Sequence, residues 1–224
     1  MKKVLIFIFI LLTVNSFAQR SCQITYSLAI EANEKNPLQA KYSLLAQQGA
    51  EKVSFILDCN QSQSRFYLDE DITNNDNDTS IAIGWADYAN EIFTNLYTKE
   101  IMYNNPKGVL FKENEFLIKE PIYLDWELSE ETKEIQGFIC FKAIANIVKE
   151  NISKSIIAWY CPEIPFAFGP LGYGTLPGVI LELQVNDVLF GATKIDLNKT
   201  IKPIELPNKG KELTEIEYHN LFRQ

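Results

Sequence analysis

Gly169-Pro-Leu-Gly-Tyr-Gly-Thr-Leu-Pro-Gly178 is the stretch that decides the fold, and it runs directly into Val179-Ile-Leu-Glu-Leu183. Four of its ten residues are glycine and two are proline. Glycine permits close backbone approach, while proline fixes φ and removes a hydrogen-bond donor, so the segment favours a tight loop. The apolar, β-prone run that follows predicts a strand that starts at this loop.

Gly172-Tyr-Gly174 has the glycine spacing of a phosphate-binding loop. Such a loop opens a helix whose N-terminal amides hold the anion. Here Pro177 and a β-branched run follow instead. Nucleotide binding is therefore not predicted.

The second half of the chain has the pattern of consecutive strands. Its β-prone segments are separated by short connections with no regular helix between them, which is typical of an antiparallel meander. Besides the strand at 179–183, the predicted strands are 97–103, 109–117, 121–128, 134–148, 155–161 and 187–197.

The first half alternates strand and helix patterns. Strands are predicted at 23–32, 53–58 and 64–68. Residues 38–47 have helical composition after Asn36-Pro37, although the same letters would also suit a strand recruited by the sheet. A second helix is predicted at 85–96 from its apolar stripe, and a short third one at 212–222.

Residues 69–80 form an acidic, Asn-rich stretch that predicts a solvated loop. Asp76-Asn-Asp78 has calcium-loop spacing, but the central glycine and the distal glutamate of that motif are missing. No metal and no cofactor is predicted.

Residues 1–18 have the pattern of a secretory signal peptide. Lys2 and Lys3 precede an apolar run at 4–12, and Ser16-Phe17-Ala18 supplies small residues for cleavage. The apolar run is too short to span a membrane. The sequence thus predicts an exported protein, periplasmic or secreted, with a single β-rich domain at 19–224.

Composition fits a folded, acidic protein. Apolar residues make up 46% of the chain, and the formal charge is −8, or −10 once Lys2 and Lys3 are removed. A nucleic-acid partner would need clustered lysine and arginine, so none is predicted. The predicted fold class is mainly β, a curved antiparallel sheet or partly open barrel with one or two packed helices.

Four cysteines lie beyond the predicted signal peptide, and an even number in an exported protein favours disulfides. Three pairings are open, of which the preferred one joins Cys22 to Cys59 and Cys140 to Cys161. A symmetric hairpin of 137–147 with 153–161 places Cys140 directly across from Cys161, at the separation a disulfide needs. The same register sets Lys142 opposite Trp159, as a cation–π pair requires.

Several separated blocks in 97–197 resemble the GLPGLI family of exported Bacteroidetes proteins. The blocks are Trp126-Glu-Leu-Ser-Glu-Glu-Thr-Lys-Glu-Ile-Gln-Gly-Phe-Ile-Cys-Phe-Lys-Ala143, Ala158-Trp-Tyr160, Glu163-Ile-Pro165, Gly169-Pro170 and Leu176-Pro-Gly-Val-Ile-Leu-Glu182. Thr175 and Val179 depart from the usual name-giving segment, and Cys161 stands where a threonine is common.

The resemblance implies a curved antiparallel sheet similar to that of periplasmic lipoprotein carriers, and an envelope setting beside outer-membrane transport proteins. It implies no established activity, and a shared fold confers no function. It assigns a structural role to the motif residues Gly137, Gly169, Pro170, Gly174, Leu176, Pro177 and Gly178.

No catalytic residue is predicted. The single histidine, His219, lacks the partners of a serine triad or a multi-histidine metal site and is interpreted as a surface residue. Two carboxylates would suffice for glycoside hydrolysis, but the 29 acidic residues offer no positional signal. Glu131 and Glu182 lie inside the family blocks, and Glu182 is expected either to face solvent or to be buried against a partner such as Lys133 or Lys142.

Large and charged side chains of the same region are candidates for binding a ligand, with ordinary core packing as the alternative. Both faces of the predicted hairpin are apolar, so the second face must be covered by a helix, by curling of the sheet, or by a ligand. The candidate ligand-binding residues are Trp126, Lys142, Trp159, Tyr160, Phe166 and Glu182.

The function predicted is a non-enzymatic binding or accessory protein of the cell envelope. It would hold an apolar or peptide-like ligand, or an envelope or outer-membrane protein partner, in the concavity of the sheet. The alternatives are a carboxylate-based hydrolase and a structural or interaction module with no small ligand.

Overall fold

The computed structural model of the protein describes residues 21–31, 37–71, 76–88, 90–106, 108, 110–149 and 152–222; the predicted signal peptide lies outside these ranges. The described strands are β1 (Cys22–Ile30), β2 (Ser54–Cys59), β3 (Gln63–Leu68), β4 (Ile92–Asn95), β5 (Glu100–Asn104), β6 (Phe116–Pro121), β7 (Glu127–Ile135), β8 (Phe138–Lys149), β9 (Ile152–Cys161), β10 (Val179–Val185), β11 (Val188–Asp196) and β12 (Lys211–Leu213). The described α-helices are α1 (Pro37–Ala50), α2 (Asn77–Trp85) and α3 (Glu215–Asn220).

All twelve described strands belong to one open sheet, with the order β12-β6-β5-β4-β3-β2-β1-β11-β10-β9-β8-β7. The order contains two meanders, β1 to β6 and β7 to β11, which join where β1 pairs antiparallel with β11. Among these described strands, only the short β12 pairs in parallel, with β6. The predicted fold class, a mainly β antiparallel sheet with packed helices, is confirmed.

A short connection forces this sheet to curl. Ten inter-strand spacings separate β6 from β7 in the strand order, which in a flat sheet would be about 48 Å. The chain passes from Pro121 at the end of β6 to Glu127 at the start of β7 in six residue steps, which reach about 21 Å at most. The two meanders must therefore bend toward each other and enclose a concave face.

The core lies along the inner side of this sheet. In β1 the buried residues Cys22, Ile24, Tyr26, Leu28 and Ile30 alternate with more exposed ones, as expected for a strand with one face on the core. Aromatic rings from β2, β3 and β11 meet beside them: Phe55 stacks on Phe66 at 5.1 Å, and Phe190 contacts both rings edge-on.

The helix prediction at 38–47 is confirmed, and the one at 85–96 is wrong. A capping box at Asp76 and Thr79 starts α2 inside the acidic stretch, and the helix ends at Trp85. The apolar residues Ile92 and Phe93 belong to β4, where they pair with β3. Among the described residues, no helix has the length and apolar character needed to cross a membrane.

The acidic segment 69–80 is a loop only in part. Residues 77–80 form the first turn of α2, and 72–75 lie outside the described residues. Asp76 acts as the helix N-cap, accepting a hydrogen bond from the Thr79 backbone N–H at 2.9 Å, and pairs with Lys52 at 2.9 Å. The calcium-like spacing thus serves to begin a helix.

Strand boundaries shift in three places. The prediction of one strand at 134–148 is wrong because the chain reverses at Gln136 and Gly137, whose φ values of 52° and 82° suit a two-residue hairpin turn. The strand predicted at 121–128 is also wrong for most of its length, since β7 begins only at Glu127. β6 begins at Phe116, late in the segment predicted at 109–117.

The predicted hairpin register of β8 and β9 is confirmed. Phe141 lies opposite Tyr160, and Lys142 lies opposite Trp159. Trp159 in β9 and Leu181 in β10 share the sheet. Residues 150 and 151, the predicted turn, lie outside the described ranges.

One of the two predicted disulfides is confirmed and the other is not formed. Cys22 and Cys59 are cross-strand partners and are bonded, with Cα atoms 5.3 Å apart. Cys140 and Cys161 are buried free thiols, which corrects the predicted second bridge. The two thiols are neighbours, but the β8–β9 ladder ends at Phe141 and Tyr160, one position before them, and on its other side Cys161 pairs with Val179 of β10. Burial, followed by the neighbouring Cys161, raises the pKa of the Cys140 thiol to about 12.

The glycine-rich stretch closes a tight bend against the start of β10. The Val179 N–H donates to Ile164 O at 3.0 Å and the Ile180 N–H to Phe168 O at 2.9 Å. The buried Tyr26 hydroxyl donates to Ile180 O at 2.6 Å, which ties the bend to the first strand. Gly178 has a φ of 155°, and a Cβ there would lie 2.1 Å from Cys161 O.

We expect Gly178→Ala to lower the free energy of unfolding by about 2–3 kcal/mol, because alanine is strained at this φ and its Cβ collides with backbone. Urea denaturation of the purified variant measures the change. Gly84→Ala is the matched control: no atom lies within 4 Å of its added Cβ, and its stability should stay the same or rise by up to about 1 kcal/mol. Equal effects of the two substitutions would contradict the assigned bend.

Reduction of the Cys22–Cys59 bond should lower the free energy of unfolding by about 4 kcal/mol, the loop-entropy value for its separation of 37 residues. Denaturation with and without dithiothreitol measures this difference. In the control variant Cys22→Ala/Cys59→Ala, the reductant should have no further effect. A reductant effect that persists in that variant would mean that another pair of cysteines carries the bond.

Candidate ligand-binding cleft

The curl leaves an open cleft of about 1300 Å³ between the two meanders. One wall comes from β4, β5 and β6, and the other from β8 to β11. The end of α2, the turn at 171–174 and α3 complete the lining. The cleft is thus bounded by both halves of the sheet, which the short β6–β7 connection brings together.

Aromatic side chains dominate the cleft surface. They come from α2, β5, the β6–β7 connection, the turn at 171–174, β11 and the C-terminal segment, and range from Phe190, which is fully buried, to Tyr123, which is 82% exposed. Such a lining combines apolar area with hydroxyl groups that orient a ligand. The aromatic lining residues are Trp85, Tyr103, Tyr123, Tyr173, Phe190, Tyr218 and Phe222.

The charged groups of the cleft are mostly acidic. Among the described residues, its lining contains four carboxylates, against one lysine and one histidine. The lysine, Lys154 of β9, pairs with Asp87 after α2 at 2.7 Å and so links the wall at β8–β11 to the end of that helix. Burial opposes the charged form of Lys154, but the hydrogen bond to Asp87 and the charges of Asp87 and Glu215 together outweigh it and raise the pKa of the amine. The four acids are Asp87, Glu120, Asp187 and Glu215.

The charged groups of the cleft affect the pKa values of two tyrosines that line it. Burial, and then the charges of Glu215 and Asp87, raises the pKa of the Tyr103 hydroxyl. Burial also raises the pKa of Tyr173, where Lys154 acts in the opposite direction and Asp87 supports the increase. Both hydroxyls therefore stay neutral and can donate hydrogen bonds in a region of negative potential.

The C-terminal segment forms one side of the cleft. A capping box between Thr214 and Glu217 starts α3, and the Glu215 N–H donates to Glu120 Oε1 at 2.7 Å. Behind them, rings of Phe111, Phe116, Tyr218 and Phe222 pack within 5.1–6.3 Å of one another.

His219 lies on the exposed side of α3. Its side chain is 63% exposed, and its Nε2 lies 3.8 Å from Glu215 Oε1. Over the described part of the chain, no group of three or more histidine, cysteine, aspartate or glutamate residues is arranged to hold a metal ion.

Three of the six residues proposed from sequence to bind a ligand are brought together, on the other face of the sheet. In β9 the buried residues Ile156, Ala158 and Tyr160 alternate with Trp159, so Trp159 faces away from the side of Lys154. Glu182 and Lys142 are its cross-strand neighbours.

Ion pairs cover the Trp159 ring on this outer face. Lys133 pairs with Glu182 at 2.5 Å and Lys142 with Glu131 at 3.0 Å. The Lys133 and Lys142 ammonium groups lie 5.0 and 5.9 Å from the centre of the indole ring. The predicted partners of Glu182 and Trp159 are thus both present, and the cluster covers an apolar face with lysine stems.

The remaining three candidate residues pack in the core or hold the glycine-rich bend. Tyr160 and Phe166 are buried in the core, with 6% and 5% of their surface exposed. Trp126 donates its indole N–H to Gly174 O at 2.9 Å and anchors the glycine-rich bend. None of the six candidate residues lines the cleft.

The cleft residues were missed because they come from distant segments. Asp87 and Lys154 are 67 positions apart in the chain. One signal was available: Lys154 occupies the same face of β9 as the apolar residues Ile156 and Ala158. A charged residue in an inward-facing register indicates a partner or a solvent-filled space.

Comparison with known proteins identifies similarity at the level of fold. Residues 148–182 match a family described as "Protein of unknown function (Porph_ging)". No curated protein matches the chain. Two crystal forms of PNGF-II are structurally similar, with TM-scores of 0.56 and 0.57 at 16% and 15% identity.

The similarity to PNGF-II covers 92% of this chain and 33% of that protein. This chain therefore spans about a third of the length of PNGF-II. At such low identity the likeness concerns the fold alone. It shows that the curled sheet also occurs as one part of a longer protein.

Asp87→Asn and Lys154→Met should be coupled by about 0.5–1 kcal/mol in a double-mutant cycle of unfolding free energies. The value is small because the Asp87 side chain is 76% exposed and solvent screens the pair. Urea denaturation at low salt measures it, and raising the NaCl concentration to about 1 M should reduce it. Additive single effects at low salt would show that the ion pair does not link β9 to the end of α2.

Proposed function

We propose that this protein is an exported, non-enzymatic binding protein of the cell envelope that holds a ligand in the cleft of its curled sheet. The observation that carries the proposal is the open cleft of about 1300 Å³ lined by seven aromatic side chains. A surface of mainly apolar side chains with a few convergent polar groups is typical of ligand sites.

Export is supported by three features. Residues 1–18 have the signal-peptide pattern. The Cys22–Cys59 disulfide fits an oxidising compartment such as the periplasm. The sequence blocks in 97–197 also resemble the exported GLPGLI family.

The cleft is formed by the sheet itself, and such a preformed site supports a binding function. Both walls of the cleft are strands of one hydrogen-bonded sheet. The Lys154–Asp87 pair ties β9 to the end of α2, and the contact of the Glu215 N–H with Glu120 ties α3 to β6. A preorganised cleft binds with little loss of conformational entropy. An envelope protein could bind in the same way, by placing a flexible segment of its chain in the cleft.

A carboxylate-based hydrolase is the second candidate function. It is favoured by the contact between the Glu215 N–H and Glu120 Oε1 at 2.7 Å, which brings two acidic residues to one wall of the cleft. Such an enzyme would lose turnover in Glu120→Gln while still binding its substrate.

Binding of the neutral apolar dye Nile red tests the proposed site. Tyr123→Ala should weaken binding at least threefold, because Tyr123 lies at the cleft rim and is 82% exposed, so its removal leaves the core intact. Tyr97→Ala is the matched control: Tyr97 is 84% exposed but does not line the cleft, and the dye affinity should be unchanged. Fluorescence titration measures both affinities.

Native mass spectrometry of the protein purified from its expression host provides a second measurement. A co-purified species that is retained by Tyr97→Ala and lost from Tyr123→Ala would support the cleft. Absence of both dye binding and any co-purified species would contradict the proposed function.

A further inference from the structure

Building on the proposed binding function, we infer that the cleft takes an extended peptide segment bearing lysine or arginine side chains. The charge, the surface chemistry and the size of the cleft together define this class of ligand. Each of these properties disfavours a different class of ligand.

The charge of the cleft favours a cationic ligand. The lining contains the carboxylates of Asp87, Glu120, Asp187 and Glu215, and Lys154 is the only lysine or arginine among the described residues that form it. Lys154 is already paired with Asp87. A cleft lined by one sign of charge concentrates ligands of the opposite sign. Phosphate-bearing and carboxylate-bearing ligands are disfavoured because no unpaired lysine or arginine of this described lining faces them.

The cleft interior shows this negative potential independently of the exposed rim. Tyr103 and Tyr173 are both partly buried, and in each case burial is the main cause of the raised hydroxyl pKa and the charges of Asp87 and Glu215 add to it, while Lys154 acts in the opposite direction at Tyr173. The acids therefore act on the interior, where screening by solvent is weaker than at the surface. A cationic side chain that enters the cleft meets the same potential.

The aromatic surface of the cleft also suits cationic side chains. Trp85, Tyr123 and Tyr218 present rings in the same lining as the acids. A lysine or arginine side chain fits such a surface, because its stem contacts apolar area and its charge interacts with a ring face. The apolar residues Ile122, Leu124 and Ile216 provide neighbouring sites for uncharged side chains of the same segment.

The size and shape of the cleft favour an extended segment over a small molecule. The volume of about 1300 Å³ exceeds the roughly 300–1000 Å³ of sites for small molecules. The cleft is also open to solvent and is lined on one side by the four neighbouring strands β8 to β11. A small amine would leave most of this surface in water. An extended segment of several residues covers it.

Three matched fluorescein-labelled octapeptides test the inference: leucine alternating with lysine, with glutamine, or with glutamate. Fluorescence anisotropy with the full mature chain measures their affinities. We expect the lysine peptide to bind at least tenfold more tightly than the glutamine peptide, and the glutamate peptide to bind most weakly. Raising the NaCl concentration from about 50 to about 500 mM should narrow the difference.

Two double variants separate cleft binding from general attraction to an acidic protein. Asp87→Asn/Asp187→Asn should reduce the affinity for the lysine peptide at least fivefold, because both carboxylates line the cleft. Asparagine tolerates the left-handed backbone that Asp87 adopts at a φ of 56°, so the substitution there causes no strain. Glu127→Gln/Glu134→Gln removes two charges from β7, outside the cleft, and should leave the affinity unchanged.

Each outcome decides between the two proposals. Equal affinity for the lysine and glutamine peptides, with both weakened by Tyr123→Ala, would overturn the cationic ligand class and leave the binding function intact. Equal losses in the two double variants would also overturn it, because the attraction would then be a property of the whole surface. Failure of all three peptides would overturn the inference, and failure of Nile red as well would overturn the binding function.

Discussion

The connection between β6 and β7 is the constraint on which the rest of the structure depends. Six residue steps from Pro121 to Glu127 must join strands that stand ten spacings apart in one sheet. Hydrogen bonding keeps neighbouring strands at a fixed distance, so the sheet can meet this demand only by curling. The cleft follows from the curl, because the walls at β4–β6 and β8–β11 face each other across it. The curl does not cover the outer face of the sheet, whose apolar side chains are covered by other side chains.

The glycine-rich bend holds the curl in a single arrangement. Trp126, just before β7, donates to Gly174 O in the bend, and Tyr26 of β1 donates to Ile180 O just after it. The bend thus contacts both the edge of one meander and the first strand of the other. Close backbone approach at Gly178 makes room for these contacts. This arrangement explains why a loop without a catalytic side chain is so restricted in composition.

Local sequence patterns were sufficient to predict strands of the sheet but insufficient to predict the residues that line the cleft. The strand that begins at Val179 and the pairing of Lys142 with Trp159 could be predicted, because an apolar, β-prone run after a glycine-rich loop and a symmetric hairpin determine them. The stripe at 85–96 misled because Ile92 and Phe93 suit a helix face as well as a strand that pairs on both sides. The pairing of Cys161 with Val179, and the cleft itself, depend on contacts between distant segments that no local pattern records.

The two faces of β9 show how one strand serves both stability and binding. On one side Trp159 is covered by Lys133 and Lys142, whose charges are satisfied by Glu182 and Glu131. Exposed ion pairs of this kind contribute little stability individually, but they keep an apolar face soluble. On the other side Lys154 is paired with Asp87, so the acids of the described cleft lining outnumber its cations. The outer cluster is therefore charge-balanced, with two lysines against two glutamates, whereas the described cleft lining carries an excess of acids, and the alternation of a single strand places Trp159 and Lys154 in these two different surroundings.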